Sequence, residues 1–253
     1  MIVFPNTKIN IGLKVIEKRD DGFHNIETIF YPVPLCDILE FLPLGGGAKT
    51  SKFKNTGLQI DTPSDANNLC IKAYSIIKND FDIPPLDIHL HKIIPFGAGL
   101  GGGSADAGFM LKALNDYFCL GISEEKLKFY ASKLGSDCTF FIQNKTSFAW
   151  EKGEKLKEIS LSLKGYHIVI VHPGFSVSTA EAYAGIIPEK SDCSLTDLVY
   201  KPIEKWREFI FNDFEKNIFE KYPAIKEIKD KLYTQGAIYA SMSGSGSDRK
   251  SVV

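Results

Sequence analysis

The sequence predicts an α+β protein built as two domains that meet near residue 150. Three observations predict it. Runs of two-residue alternation and runs of helical spacing are mixed along the chain without strict β–α alternation. The composition is that of a globular protein, with 253 residues, 44% hydrophobic and 24% charged, a length that suits two moderate domains or one large one. A segment with five glycines in seven residues, 97–103, sits between a strand pattern and a helix pattern.

The elements follow in order. Ile9, Ile11, Leu13 and Val15 alternate as in a half-buried strand, and Asp20-Asp21-Gly22 supplies a turn. Strands are expected at 26–31 and 37–42, then a Gly- and Lys-rich loop at 45–55 and a short strand near 58–60. Leu69, Ala73, Ile76 and Ile77 lie at helical spacing behind Asn67 and Asn68, either of which suits an N-cap. Leu86, Ile88 and Leu90 alternate again. Two amphipathic helices follow, one with Ala107, Met110, Leu111, Leu114 and Phe118 on a face. The other carries Leu127, Tyr130, Ala131 and Leu134, with Ser123 as cap and Gly135 as stop. Short strands are expected at 139–142 and 147–150. The second half predicts a strand at 166–171 stopped by His172-Pro173-Gly174, helices around 179–184, 203–211 and 223–233, and a strand at 237–241. No internal repeat is present.

Charge and cysteine content exclude several functions. Thirty basic against 31 acidic side chains leave a net charge of −1, so no global field favours nucleic acid or an anionic membrane. Any anionic ligand needs a local site. Lysines at 152–157 alternate with Glu and read as a solvated face. The five cysteines (Cys36, Cys70, Cys119, Cys138, Cys193) are scattered, with no C-x-x-C pair for zinc or redox chemistry. The first residues lack a signal-peptide pattern and no run reaches membrane-span length, so a cytoplasmic setting is expected. His89 and His91 form an H-x-H pair with no carboxylate or Cys at ligand spacing, and no metal is assigned there.

The glycine-rich run carries the most chemistry. Such a run costs folding entropy, which a close backbone approach to a ligand would justify. It opens into a helix near Ser104, so free N–H groups and the positive end of the helix dipole converge where an anion would sit. The Ser104 hydroxyl suits a phosphate oxygen or Mg²⁺. A merely flexible connector has no need of that placement. No Lys precedes Ser104 as a Walker A loop requires, and the protein-kinase strings are missing. Gly97-Ala-Gly99-Leu-Gly-Gly102 matches G-x-G-x-x-G, but a dinucleotide fold needs a second parallel strand bearing an acid, where this chain has a second helix.

At this level of detail the chain resembles a known superfamily. Pro95-Phe-Gly-Ala-Gly-Leu-Gly-Gly-Gly-Ser-Ala105 resembles the second motif of the galactokinase/homoserine/mevalonate/phosphomevalonate (GHMP) kinases. Asn6-Thr-Lys8-Ile-Asn10-Ile-Gly12 resembles the first motif and Ser241-Met-Ser-Gly-Ser-Gly-Ser247 the third, so the motifs span nearly the whole chain in order. Arg19-Asp-Asp-Gly-Phe-His24 and Leu134-Gly-Ser-Asp137-Cys narrow the resemblance to the 4-diphosphocytidyl-2-C-methyl-D-erythritol kinase family.

That resemblance implies a two-domain GHMP-kinase fold with its active site in the inter-domain cleft. Residues 1–150 would form the N-terminal domain with the ATP loop, and 151–247 the C-terminal domain. The implied reaction moves the γ-phosphate of ATP, with Mg²⁺, to the 2-hydroxyl of a cytidine diphosphate–linked methylerythritol in non-mevalonate isoprenoid synthesis. Lys8 and Asp137 are the implied catalytic pair. An alcohol is a weak nucleophile, a carboxylate takes its proton, and an ammonium offsets developing phosphoryl charge. Taken alone, an Asp in a turn and a Lys in a strand are more often structural; only the resemblance gives them roles. Pro95, Phe96, Gly97, Ala98, Gly99, Leu100, Gly101, Gly102, Gly103, Ser104 and Ala105 are implied nucleotide contacts, with Asn68 and Lys92 nearby. For the substrate, Phe23 and Tyr183 would sandwich the cytosine, His24 would bond its edge and Asn10 would orient it. Phe23 stands where the family often has Tyr, which keeps a stacking face and drops a hydroxyl.

The expected partner is this small molecule, with no nucleic acid or membrane, and the protein as monomer or homodimer. Other readings are a homoserine- or mevalonate-type kinase, a dinucleotide-dependent oxidoreductase, and a catalytically dead nucleotide-binding module. The resemblance also implies a further strand and helix after the third motif. The C-terminal domain is therefore expected to be truncated and residues 248–253 non-native, since their reverse translation resembles a sequencing-library adapter.

Overall fold

A computed structural model describes residues 1–58, 67–95, 97–175, 177–190 and 193–245. Ile60 of one expected strand, Phe96, Ser247 and the expected tail at 248–253 lie outside the described residues. Two four-stranded sheets organise the first half. One runs in the order β1 (Ile2–Val3), β4 (Ile38–Pro43), β6 (Leu86–Lys92) and β5 (Lys52–Gly57). The other runs β2 (Asn6–Lys18), β3 (His24–Cys36), β7 (Ser147–Glu151) and β8 (Lys155–Glu158). Within these two sheets the strand pairings are antiparallel except β5 with β6. The chain is α+β, as its periodicities predict.

The alternation of Leu39 and Phe41 in β4 and of Leu86, Ile88 and Leu90 in β6 turns one face of the first sheet inward. That face packs on α1 (Leu69–Asp80), α2 (Gly102–Tyr117) and α3 (Glu124–Ser132). Of the two candidate caps for α1, Asn68 performs the task, its Oδ1 accepting from Cys70 N at 2.8 Å. Ser123 caps α3 as expected.

The second sheet is a central layer, buried on both sides. Lys8 and Asn10 of β2 face the glycine loop and α2. Ile9, Ile11, Leu13 and Val15 face the second half of the chain, meeting Leu195, Trp206, Ile210, Val177 and Phe214. Gly12 interrupts β2 with a bulge, Ile11 pairing Ile29 and Leu13 pairing Thr28, at φ +68°. There Leu13 N donates to Phe211 O and Asp213 N donates to Leu13 O, which ties the two halves together. β8 carries the pairing of this sheet to Glu158.

Four expectations change. The expected loop at 45–55 gives way at Lys52 to β5, where pairing with β6 overrides weak strand propensity. The expected strand at 139–142 is instead a 3₁₀ turn (Ser136–Thr139) running into α4 (Phe140–Gln143). Its three consecutive apolar residues are all buried, which one helical turn wedged against α2 allows and a two-faced edge strand does not. The segments 166–171 and 237–241 are extended-looking in sequence but form no ladder among the described residues. They flank a cavity of about 760 Å³, lined by Tyr166, Ile168, Ile170, Ile238, Ala240 and Met242 among others, that reaches Asn10 and Ala98. A strand pattern without an adjacent partner leaves its backbone groups unpaired, so no sheet forms. The second half is otherwise helical: α5 (Thr179–Tyr183), α6 (Leu195–Leu198), α7 (Trp206–Phe209), α8 (Phe214–Lys221) and α9 (Pro223–Thr234). Among the described residues no helix is long and apolar enough to cross a membrane.

Candidate active site

The glycine loop ends at Gly101, which caps α2 from the left-handed region at φ +70° and offers no side chain to its first turn. That turn also holds no acidic residue. The helix therefore presents uncapped N–H groups and the positive end of its dipole, the arrangement that binds phosphate. Packing demands glycine here as well. A Cβ on Gly102 would lie 2.8 Å from Ile94 Cγ2, and one on Gly101 would lie 3.2 Å from Lys8 Cε. Leu100 is buried and its carbonyl accepts from Lys8 N at 3.0 Å, docking the loop on β2.

Lys8 and Asp137, far apart in sequence, meet beside this helix start. The buried Lys8 ammonium lies 3.2 Å from Asp137 Oδ2, and donates to Asn10 Oδ1 (2.7 Å) and Gly99 O (3.2 Å). The Phe30 ring lies beneath it, 4.8 Å to the centroid. Asp137 occupies the 3₁₀ turn that the buried Cys138, Phe140 and Phe141 anchor, and its side chain remains 33% exposed. A buried cation with a half-open carboxylate at an anion-binding helix end is suited to moving a proton beside a phosphate.

Asn10 is fixed from three sides. Its Nδ2 donates to Thr28 Oγ1 at 2.9 Å, and Thr28 Oγ1 in turn donates to Gly12 O at 2.6 Å. Its backbone N–H donates to Ser243 Oγ at 3.1 Å, and Ser243 Oγ donates to Gly99 O at 2.9 Å. Ser243 thus joins all three sequence motifs. Asn212 is buried and donates from Nδ2 to Met242 O (3.0 Å) and Gly244 O (2.7 Å), holding that last loop in place. Neither Ser243 nor Asn212 was singled out from sequence. Ser243 had a signal, its place in the third motif, whereas Asn212 sits in an unremarkable Phe-Asn-Asp-Phe run.

The remaining candidates divide. Ser104 lies against the Cys138 thiol, which burial pushes up to about 12. Asn68 spends its side chain on the α1 cap, and the Lys92 ammonium turns inward to Asp37 and Asp106. His24 stacks on Tyr183, ring centroids 4.6 Å apart and 17° between planes. Burial and the Lys18 charge lower the His24 pKa, and burial with the Asp137 charge raises Tyr183 to about 12. Phe23 is exposed beneath the Lys152 ammonium.

Residues 68–145 match the family description "GHMP kinases N terminal domain" and residues 197–247 match "GHMP kinases C terminal". A 4-diphosphocytidyl-2-C-methyl-D-erythritol kinase of Bacteroides fragilis is 51% identical over 98% of this chain and 90% of its own length. The chain belongs to the 4-diphosphocytidyl-2-C-methyl-D-erythritol kinase family. The Cytophaga hutchinsonii kinase of that name is 48% identical over the same shares. A solved 4-(cytidine 5'-diphospho)-2C-methyl-D-erythritol kinase superposes with a TM-score of 0.78 at 29% identity, over 98% of this chain and 88% of that one. Mevalonate kinase from methicillin-resistant Staphylococcus aureus shares the fold, with a TM-score of 0.60 at 16% identity, over 96% of this chain and 88% of that one. Membership of this family does not favour the homoserine, mevalonate and oxidoreductase readings. In the structure β6 leads through α2, α3 and α4 to a strand of the other sheet, not to a second parallel strand.

Proposed function

We infer that the chain transfers the γ-phosphate of ATP to the 2-hydroxyl of 4-diphosphocytidyl-2-C-methyl-D-erythritol, a step in non-mevalonate isoprenoid precursor synthesis. The observation that supports it best is the Lys8–Asp137 contact at the uncapped start of α2, in a chain of this family. The loop backbone and the first turn of α2 hold the ATP phosphates. Asp137 takes the hydroxyl proton as the new O–P bond forms and the bond to the ADP oxygen breaks. Lys8 sits against both Asp137 and the loop carbonyl of Gly99, where it offsets charge on the phosphoryl group in flight. Asn10, held by Thr28 and Ser243, orients the acceptor.

Mg²⁺ suits the oxygen donors at this place. Ser104 hydroxyl would hold it together with phosphate oxygens and water, the mode Mg²⁺ prefers over an all-protein cage. When bound with ATP it supplies charge neutralisation at the phosphates. Tyr183 and His24 supply the aromatic surface for the cytosine, and a base entering between them requires the two rings to part.

The test is ATP consumption by the purified chain with and without the cytidine diphosphate–methylerythritol acceptor. Acceptor-dependent turnover is expected. Lys8→Ala and Asp137→Asn are each expected to lower kcat by roughly a hundred- to ten-thousand-fold with the circular dichroism spectrum unchanged. Near-normal turnover in either variant refutes that residue's role.

A further inference from the structure

The run Asn212-Asp213-Phe214-Glu215 leads into α8 and reaches two segments of the active site at once. Asn212 Nδ2 donates to Met242 O and Gly244 O, while its Oδ1 accepts from Phe214 N at 3.0 Å. Glu215 Oε1 accepts from Met242 N at 2.8 Å, so both the N–H and the C=O of Met242 are gripped. The other Glu215 oxygen accepts from the Lys229 ammonium of α9 at 2.6 Å. Asp213 Oδ2 accepts from Val15 N at 2.7 Å, next to the backbone bonds that tie Leu13 to Phe211 and Asp213. Asn212 is 2% and Glu215 7% exposed. An amide and a carboxylate cost free energy to bury. Packing does not ask for them, because Phe214 and Ile218 already seat α8 in its apolar core. Their polar atoms go instead to the loop that carries Ser243 and, through Asp213, to the strand that carries Lys8 and Asn10.

A closed circuit of bonds passes this grip to the Lys8 ammonium. Ser243 Oγ donates to Gly99 O, and Lys8 Nζ donates to the same carbonyl and to Asn10 Oδ1. Asn10 N donates to Ser243 Oγ and closes the circuit. A shift of the Ser243 loop therefore displaces two acceptors of the ammonium together.

We propose that Asn212, Asp213 and Glu215 form a clamp that sets the position of Lys8 for phosphoryl transfer by fixing the loop at Met242–Gly244 to β2. They are positioning residues, acting through Ser243, Asn10 and Gly99. The inference rests on Lys8 serving that transfer. The clamp is made of protein groups alone, so it aligns the reacting atoms and does not hold either substrate. A misplacement of about 1 Å at such a group costs roughly a hundredfold in rate. Its loss belongs in kcat and not in KM.

The test is steady-state kinetics with ATP and the cytidine diphosphate–methylerythritol acceptor, alongside urea unfolding of each variant. Asn212→Leu keeps the branched shape and loses both donors to the loop. It is expected to lower kcat about 10- to 100-fold, with both KM values within about threefold of wild type. Glu215→Leu is expected to do the same, and Glu215→Gln, which keeps an oxygen for Met242 N, to recover most of the loss. Variants that unfold at lower urea but keep the kcat of wild type overturn the proposal, since that is the mark of a purely structural role. So does an equal kcat for Glu215→Leu and Glu215→Gln. If the leucine variants do not fold, Asp213→Ala decides at a half-buried position. It is expected to lower kcat about threefold to tenfold, and a kcat equal to that of wild type overturns the clamp. Wild type without acceptor-dependent turnover refutes the transferase reading and the clamp with it, whereas an active wild type with unaffected variants refutes the clamp alone.

Discussion

The two halves of this molecule use similar strand patterns and reach different ends. In the first half, Leu86, Ile88 and Leu90 alternate in a strand held between β4 and β5, and are completely buried. In the second half, Tyr166, Ile168 and Ile170 alternate just as well, yet form no strand ladder among the described residues, and Val169 between them is 70% exposed. Alternation states which face of a strand wants burial. It does not supply the neighbour whose N–H and C=O groups make the strand. The segment across the cavity, 237–241, has the same deficit, so two strand-like runs line a hollow instead of forming a sheet.

The contrast should appear first in stability. Ile88→Ala leaves a void in a closed core and is expected to cost about 2–5 kcal/mol in urea unfolding. Val169→Ala, on the rim of the hollow, is expected to fall within about 0.5 kcal/mol of wild type. Equal losses at the two sites would mean that both regions are packed alike in solution, and the comparison would be broken.

The seam between the halves gives a smaller effect. Gly12 combines φ +68° with a Cβ direction that runs into Ile210 Cγ2 at 2.8 Å and Leu195 Cδ2 at 3.0 Å. Gly12→Ala therefore meets backbone strain and a clash together, and about 1–3 kcal/mol is expected from thermal or urea unfolding. Because Gly12 O accepts from Thr28, which holds Asn10, acceptor-dependent turnover should fall with it. A stable variant with unchanged turnover would show that the seam does not support the site.

What the sequence made legible follows the same division. Local signals worked where one element suffices: the Asp20-Asp21-Gly22 hairpin, the Asn68 and Ser123 caps, and the helical faces of α1 to α3. The glycine loop was legible because its composition is extreme. Lys8 and Asp137 needed the family resemblance, since 129 residues separate them and no local pattern brings a strand to a 3₁₀ turn. Misreadings arose where tertiary contacts decide. The 139–142 run is short and apolar, a pattern in which periodicity cannot tell a strand from a buried helical turn. Asn212 and the Asp37–Lys92–Asp106 cluster exist only through long-range bonds, so no window of sequence contains them. The role of Phe23 and Tyr183 at the cytosine rests on resemblance alone, and what the fold adds is the stack of His24 on Tyr183.

The smallest expected effect lies at the helix that carries Tyr183. Ser178 and Glu181 form a reciprocal cap at the start of α5, and Glu181 also accepts from the Lys221 ammonium and the Tyr222 hydroxyl of the α8 region. The Lys221 bond, then the Ser178 N–H, hold the Glu181 carboxyl down at about 2. A carboxylate with a depressed folded-state value adds stability above its unfolded value and loses it as pH falls toward the folded one. The melting temperature of wild type should therefore exceed that of Glu181→Gln at pH 6, and the two should converge as pH drops from about 4.5 to about 2. The groups are largely solvent-exposed, so about 1 M salt should shrink the pH 6 difference as well. A difference that survives both acid and salt would mean that Glu181 acts through packing. The second half would then owe the order of α5 to apolar contacts after all.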